Sequence, residues 1–260
     1  MQDLTITIVQ CEQHWEDKEA NFEHLSKLLE SKNFQTDLIL LPEMFNTGFS
    51  MNKALAENAN GASIKFLMSL AKKYSCLVGA SLLFKNNALY TNRFVVVSDS
   101  EIIGHYDKKH LFSLAGEDKN FTAGTKRSII QVKNWKINIQ VCYDLRFPVF
   151  SRNIKYDPYD VLVYIANWPA KRQVAWDTLL KARAIENQCY TIGVNRVGMD
   201  GNQISYDGGS VFISAIGAVL ERAKDNKEEV YTRTLSYSSL DGVRKMIPFL
   251  NDGDEFQIDC

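Results

Sequence analysis

Cys142 stands where a cysteine can be made reactive. It follows Ile137-Asn138-Ile139-Gln140-Val141, a short alternating apolar run with the period of a β-strand, and precedes Tyr143-Asp144-Leu145-Arg146-Phe147-Pro148, a turn leading into a helix. A cysteine on such a bend lies beside helix N-terminal N–H groups, which favour a thiolate and can hold an oxyanion. A cysteine in a strand is otherwise usually a small buried hydrophobe, so the case rests on what else the chain supplies. Asp37-Leu38-Ile39-Leu40-Leu41 runs straight into Pro42-Glu43. Proline cannot continue a central strand, so Glu43 falls at a strand end, where open α/β sheets collect ligands and chemistry. His105-Tyr106-Asp107-Lys108-Lys109-His110-Leu111-Phe112 sets two lysines in an apolar frame of Tyr106, Leu111 and Phe112, and this frame points one of the pair inward. An attacking thiol needs a base for its proton and a cation or N–H donors for the oxyanion it creates. On residue type alone a Cys142–His110 pair is open; His14 and His24 belong in or before the first helix and face solvent.

Strand and helix alternate along the chain, the pattern that brings such segments to one sheet edge. Leu4 to Val9 reads as a strand, and Lys18 to Ser31 as an amphipathic helix with Phe22, Leu25 and Leu29 on one face. Leu38 to Leu41 is the next strand. Ser63 to Tyr74 is a helix with Ile64, Leu67, Met68 and Ala71 at helical spacing. Leu77 to Phe84 and Leu89 to Val97 read as a hairpin across Asn86-Asn87. Ile129 to Val132 and Ile137 to Val141 form another strand pair, Val161 to Ala166 is a buried strand, and Val174 to Asn187 is a helix. Tyr190 to Val194, Ser210 to Ser214 and Val230 to Leu235 are later strands. The pattern is that of a layered α/β chain and leaves three and four layers equally open.

Composition narrows the class. No Pro/Gly/Ser-rich linker, low-complexity tract or internal repeat divides the 260 residues, and 5 prolines are too few for a linker-rich chain, so 1–260 reads as a single domain. A net charge of −1 lacks the basic balance of a nucleic-acid binder. No apolar run approaches the ~20 residues of a membrane span, and Met1-Gln2-Asp3-Leu4 opens into a strand pattern without a secretory leader. Cys11, Cys76, Cys142, Cys189 and Cys260 are scattered, odd in number and free of Cys-x-x-Cys spacing, which argues for a reducing cytoplasm and against disulfides or a zinc site. The histidines and acids show no ligand spacing such as His-Glu-x-x-His, so no metal is expected.

Taken together, Pro42-Glu43, then Tyr106-x-Lys108-x-His110-Leu111-Phe112, then Cys142-Tyr143-Asp144-x-Arg146-Phe147-Pro148 resembles the nitrilase (carbon–nitrogen hydrolase) superfamily, all three motifs standing in the family order. The resemblance covers nearly the whole chain, through Gln10, Asn167-Trp168-Pro169, Ala182-Arg183-Ala184-Ile185-Glu186-Asn187 and Gly193-Val194-Asn195-Arg196-Val197-Gly198. It implies a four-layer α-β-β-α sandwich that pairs into a homodimer or higher homo-oligomer, and an amidase needing no cofactor. It assigns Cys142 as nucleophile, Glu43 as general base and Lys108, third in its motif, as the oxyanion cation. Tyr143 N–H would be the second oxyanion donor, Lys109 an exposed neighbour, and His110 a packed structural residue. Glu117, in the loop after the lysine, is the candidate second glutamate; a solvated loop acid is the alternative. Met44-Phe45-Asn46-Thr47-Gly48-Phe49-Ser50 and Asn167-Trp168-Pro169 look most like the bacterial ω-amidase subgroup, which takes small 2-oxo dicarboxylic acid monoamides. In that reading Phe45 and Trp168 wall a narrow slot, with Trp168 as plain core the rival, and Lys171 or Arg172 is the candidate to face the substrate carboxylate, against the commoner case of a solvated basic pair. Arg146 and Arg183-x-x-Glu186 resemble positions that hold structure or the dimer. The rival within the superfamily is an N-carbamoyl hydrolase, an aliphatic amidase or a nitrilase.

Overall fold

Two sheets of the same plan face one another. The computed structural model describes residues 2–257, so Met1 and Cys260 lie outside the described residues. The first half of the chain runs β1 (Leu4–Gln10), α1 (Lys18–Glu30), β2 (Leu38–Leu40), α2 (Ala62–Tyr74), β3 (Leu77–Asn86), β4 (Leu89–Val97), β5 (Ile102–Asp107) and the one-turn α3 (Glu117–Asn120). It continues with β6 (Ile129–Val132), β7 (Trp135–Val141), α4 (Pro148–Ser151), β8 (Val161–Ala166), α5 (Gln173–Asn187) and β9 (Tyr190–Asn195). Then come β10 (Val197–Met199), β11 (Ser205–Asp207), β12 (Val211–Ile213), β13 (Val219–Arg222), β14 (Glu229–Leu235) and α6 (Tyr237–Met246).

One six-stranded sheet has the order β14-β1-β2-β3-β4-β5, with β1, β2 and β3 parallel and antiparallel strands outside them. The other has the order β13-β12-β9-β8-β7-β6, with β7, β8 and β9 parallel. β10 and β11 form a separate two-stranded ribbon. Period-2 alternation decides the layers. Ile6, Ile8, Leu38 and Leu40 share a core with Ile137, Ile139, Val141, Val163 and Ile165 of the other sheet. Their neighbours Val9, Ile39, Val78 and Ala80 point the opposite way, onto Leu25 and Leu29 of α1 and Ile64, Leu67 and Leu70 of α2. Each fully buried aliphatic side chain contributes about 1.5–3 kcal/mol, and a one-residue slip would turn a whole strand's worth of them outward. Trp176 and Leu180 of α5 cover the second sheet. Gly193 in β9 admits that helix, because a Cβ there would stand 2.6 Å from Leu180 and 2.7 Å from Trp176. The result is the α-β-β-α sandwich expected from the resemblance.

Differences from the sequence reading lie in short elements. The hairpin pairs Asn86 with Leu89, so its two-residue turn is Asn87-Ala88, one position later than Asn86-Asn87. Asn87 supplies the left-handed backbone (φ 53) that such turns demand. β5, the β10–β11 ribbon, β13 and α6 were not legible. Ribbon strands of three residues are too short to display a period. β5 is an edge strand interrupted by Gly104, whose missing Cβ lets Ile130 of β6 approach across the gap between sheets. Among the described residues no helix is long and apolar enough to cross a membrane.

Candidate active site

Parallel strands deliver their carboxyl ends to one edge, and there the three motifs meet. Cys142 follows β7 in a left-handed conformation (φ 46) and opens a short 3-10 helix, Cys142–Arg146. A non-glycine residue in that region costs of order 1–3 kcal/mol and persists only when its surroundings over-determine it. Asp144 does so. Its carboxylate, fully buried, accepts from Val141 N–H (3.0 Å), Tyr106 O–H (2.9 Å), His110 N–H (3.0 Å) and His110 Nδ1 (2.8 Å). Arg183 of α5 adds a bond from Nη2 to the Leu145 carbonyl at 2.6 Å, which fixes the far side of the turn. As the second residue of this turn, Tyr143 has an N–H with no acceptor inside the helix.

Glu43 follows β2 and is fully buried. Its Oε1 accepts from Asn92 Nδ2 (2.8 Å) and Lys108 Nζ (3.0 Å), and its Oε2 from Asn167 N–H (2.8 Å). Lys108, just past β5 and 1% exposed, also donates to both oxygens of Glu117, at 3.1 and 2.9 Å. Glu117 is no solvated loop acid: it is fully buried, accepts from Phe112 N–H at 2.7 Å and reaches Asn92 at 3.3 Å. One ammonium thus serves two carboxylates. Burial works against the Lys108 charge, but Glu117 and Glu43 outweigh it and push its pKa up, so it stays protonated. Burial raises Glu117, with Lys108 opposing and Glu43 adding to the rise. Burial and then the Glu43 charge push the Cys142 thiol well above its ordinary value, with Lys108 pulling the other way. Cys142 is therefore a thiol at rest, and a thiol attacks only as its proton is taken.

The rest of the forecast divides. Of the two lysines Lys108 is the one that points inward; Lys109 is half-buried and outside this cluster. His110 turns to Asp144 and stacks on Phe147 at 3.8 Å. No histidine is among the residues lining the cavity over Cys142, so the geometry gives a Cys142–His110 pair no support. That cavity, of about 410 Å³, is walled by Trp15, Phe49, Phe112, Tyr143, Trp168 and Tyr206, with Lys108 and Cys142 on its surface. Trp168 is one of these walls, its indole N–H on the Arg172 carbonyl at 2.9 Å. Arg172 also lines the cavity, its guanidinium 5.0 Å from the centre of the Phe112 ring, whereas Lys171 does not.

Phe45 is a correction. It does not wall the slot but packs between the first sheet and its helices, 1% exposed, with Phe22 and Phe66 stacked at 6.0 and 6.1 Å. Met44 between them is left-handed (φ 45), which sends Glu43 to the cluster and Phe45 to the opposite layer. Three residues gained a place that sequence reasoning had not given them. Asn92, fully buried in β4, bridges the two glutamates. Asn167 holds Glu43 by its backbone N–H and by a side-chain bond to the Glu43 carbonyl at 2.5 Å, and its own carbonyl lies 3.8 Å from Cys142 Sγ. Arg146 lines the cavity, 4.9 Å over the Trp168 ring. Its place on the turn opened by Cys142 was the available signal. Among the described residues no group of three or more His, Cys, Asp or Glu is set to hold a metal.

Known proteins with this architecture fit the geometry. Residues 5–245 match the family model described as carbon–nitrogen hydrolase. The chain is 42% identical over 256 residues to the ω-amidase YafV of Yersinia enterocolitica, covering 98% of this chain and 99% of that one. It is 29% identical over 253 residues to the 2-oxoglutaramate amidase of Bacillus subtilis, covering 95% and 96% of the two chains. Among solved structures, XC1258 from Xanthomonas campestris, a CN-hydrolase superfamily protein carrying an arsenic adduct in its active site, superposes over 100% of both chains with a TM-score of 0.95 at 38% identity.

Proposed function

We propose that this chain, which belongs to the carbon–nitrogen hydrolase family and is a hydrolase of carbon–nitrogen bonds, is a cysteine-dependent amidase that hydrolyses the terminal amide of small 2-oxo dicarboxylic acid monoamides, such as 2-oxoglutaramate and 2-oxosuccinamate, to the acid and ammonia. One observation carries the reading: a thiol, an ammonium and two carboxylates are buried together at a cavity that also presents two arginines lying over aromatic rings. Neither Arg146 nor Arg172 has a carboxylate partner among the described residues, and a guanidinium set against a ring and otherwise unpaired can turn its fork to a substrate carboxylate.

In this mechanism Glu43 takes the Cys142 proton as sulfur adds to the amide carbon. Lys108 Nζ and Tyr143 N–H receive the oxyanion. Collapse breaks the carbon–nitrogen bond, and the proton held by Glu43 leaves with ammonia. Water then attacks the thioester, Glu43 accepts a proton from it, and the expelled sulfur recovers that proton. Glu117 holds Lys108 charged and in place throughout. Such a nucleophile must be a free thiol, which suits a reducing cytoplasm. We also propose a homodimer. Val149, Ile185 and Ile247 stand 58%, 47% and 53% exposed around the C-terminal end of α5, and light scattering should return twice the 29.6 kDa chain mass.

The substrate class is tested by the ratio of kcat/KM for 2-oxoglutaramate, or its stable analogue succinamate, to that for butyramide. Donors built for a carboxylate are left unpaired by a neutral amide, at about 1–3 kcal/mol, so the ratio should exceed about tenfold. A ratio near one, or faster ammonia release from nitriles or N-carbamoyl amines, would remove the ω-amide reading and leave the family assignment standing.

A further inference from the structure

Glu43 offers four lone pairs, and the structure accounts for three. Asn92 Nδ2 and Lys108 Nζ occupy Oε1, and Asn167 N–H occupies one side of Oε2. The remaining position on Oε2 is the only one left to take a proton. Lys108 Nζ lies within reach of Glu43 Oε1 and of both oxygens of the one Glu117 carboxylate. The second amide hydrogen of Asn92 points to Glu117 Oε1 at 3.3 Å. Lysine and asparagine therefore bridge the same two carboxylates, one with a charge and one without.

That division matters because the cluster holds two carboxylates and one ammonium away from water. A second cation would balance the charge but weaken Glu43 as a base. An apolar residue would leave Oε1 short of a donor and free to compete for the proton. An amide saturates Oε1 and adds no charge. Resting on Glu43 as the base proposed above, we infer that Asn92 is a positioning residue for the reaction: its amide directs the basic lone pair of Glu43 onto Oε2, toward Cys142, and keeps Glu117 on Lys108. Asn92 does not line the cavity, so it has no means of acting by binding substrate. Its carbonyl accepts the Lys108 N–H at 3.0 Å, so β4 fixes the backbone of the lysine as well.

The test is the pH profile of kcat/KM for succinamate in Asn92→Leu, which matches the side chain in size and removes both donors. The ionisable groups facing Glu43 are Lys108 beyond β5, Glu117 of α3 and Cys142 beyond β7. All three are retained. A carboxylate that loses a donor binds its proton more tightly, and Glu43 must be unprotonated to act, so the acid limb should move to higher pH. kcat should fall by about tenfold to a hundredfold, the worth of one hydrogen bond to a charged group, while KM stays near wild type. Should Asn92→Leu fail to fold, Asn92→Ser carries the test, since a shorter hydroxyl is accommodated but cannot reach both glutamates. An acid limb that does not move in whichever variant folds overturns the proposal, even where activity falls, because packing damage alone does not shift a titration. Glu43→Gln run alongside separates the two ideas. If it stays active, the base assignment fails; if it is dead while the limb of the Asn92 variant is unmoved, only the role of Asn92 fails.

Discussion

Replacing Glu43 by glutamine should abolish turnover and, at the same time, make the nucleophile easier to ionise. The substitution keeps shape and removes charge. Its single carbonyl oxygen can stay on the Asn92 and Lys108 donors at 2.8 and 3.0 Å, which forces its NH2 against the Asn167 N–H that Glu43 Oε2 now accepts at 2.8 Å. One buried donor is orphaned, at about 1–3 kcal/mol. Against this, the cluster passes from two carboxylates on one ammonium to a one-to-one Lys108–Glu117 pair, which removes an unmatched buried charge. The loss of stability should therefore not exceed that of the orphaned donor, and at about 2–4 °C per kcal/mol the drop in Tm should be no more than about 12 °C. Activity is another matter. Positioned general bases contribute about 10²–10⁴-fold, and kcat/KM should fall at least that far. The Cys142 thiol is held up by burial first and by the Glu43 charge second, with Lys108 opposing. With Glu43 neutral and Lys108 still charged, the thiol must titrate at lower pH than in the wild type. The assays are ammonia release from succinamate and the pH dependence of iodoacetamide alkylation at Cys142, read by peptide mass. Cys142→Ser supplies the baseline for both. Turnover above about a tenth of wild type would contradict a base worth 10² or more and return attention to His110. A thiol titrating at the same or higher pH would refute the charge arrangement itself.

Two further outcomes follow from the placement of side chains. Lys108→Arg should lose at least about 10²-fold in kcat/KM, the loss on removing one oxyanion donor, because a planar fork cannot meet three acceptors set around an ammonium at 2.9 to 3.1 Å; Lys109→Arg should turn over succinamate as the wild type does, and the reverse result would mean the motif is read one residue out. Phe45→Leu should lower Tm through the loss of packing between Phe22 and Phe66, by about 1 kcal/mol, and leave KM for succinamate unchanged; a raised KM with an unchanged Tm would return Phe45 to the substrate slot.

What the sequence made legible was what repeats along the chain. The strands β7, β8 and β9 and the helices α1, α2 and α5 announce themselves by period, and Glu43, Lys108 and Cys142 by standing where such periods break. Phe45 defeated the reading because its direction depends on one torsion, the left-handed Met44, which no hydrophobic pattern encodes. Asn92 was hidden for a different reason. It lies inside β4 between Thr91 and Arg93, where a polar residue in a hairpin reads as solvent-facing. Its role exists only once β5 and α3 bring Lys108 and Glu117 beside it. Glu117 was half visible: its loop position was clear, but its burial depends on a one-turn helix too short to forecast.

The Tyr106-x-Lys108-x-His110 spacing has a mechanical meaning that residue types alone do not convey. Tyr106 and His110 both bond to Asp144, the carboxylate that also takes Val141 N–H and so holds Cys142 in its left-handed turn. Lys108 lies between them and reaches instead to Glu43 and Glu117. The segment is pinned on either side of the lysine to the same group that pins the nucleophile. The spacing between ammonium and thiol is then set by two anchors on one buried carboxylate rather than by the fit of the two sheets. His110 is in this sense structural, as its apolar neighbours suggested, but its packing partner Phe147 and its acceptor Asp144 belong to the cysteine motif. Two motifs separated by more than thirty residues therefore form one rigid unit. Glu43 arrives separately, past β2 in the same sheet as β5 and across from the sheet that carries Cys142, and its carboxylate is held by Lys108, Asn92 and Asn167. On the proposed mechanism the base is thus the separately delivered part of the site, and its carboxylate is oriented by the bonds from Asn92 and Asn167.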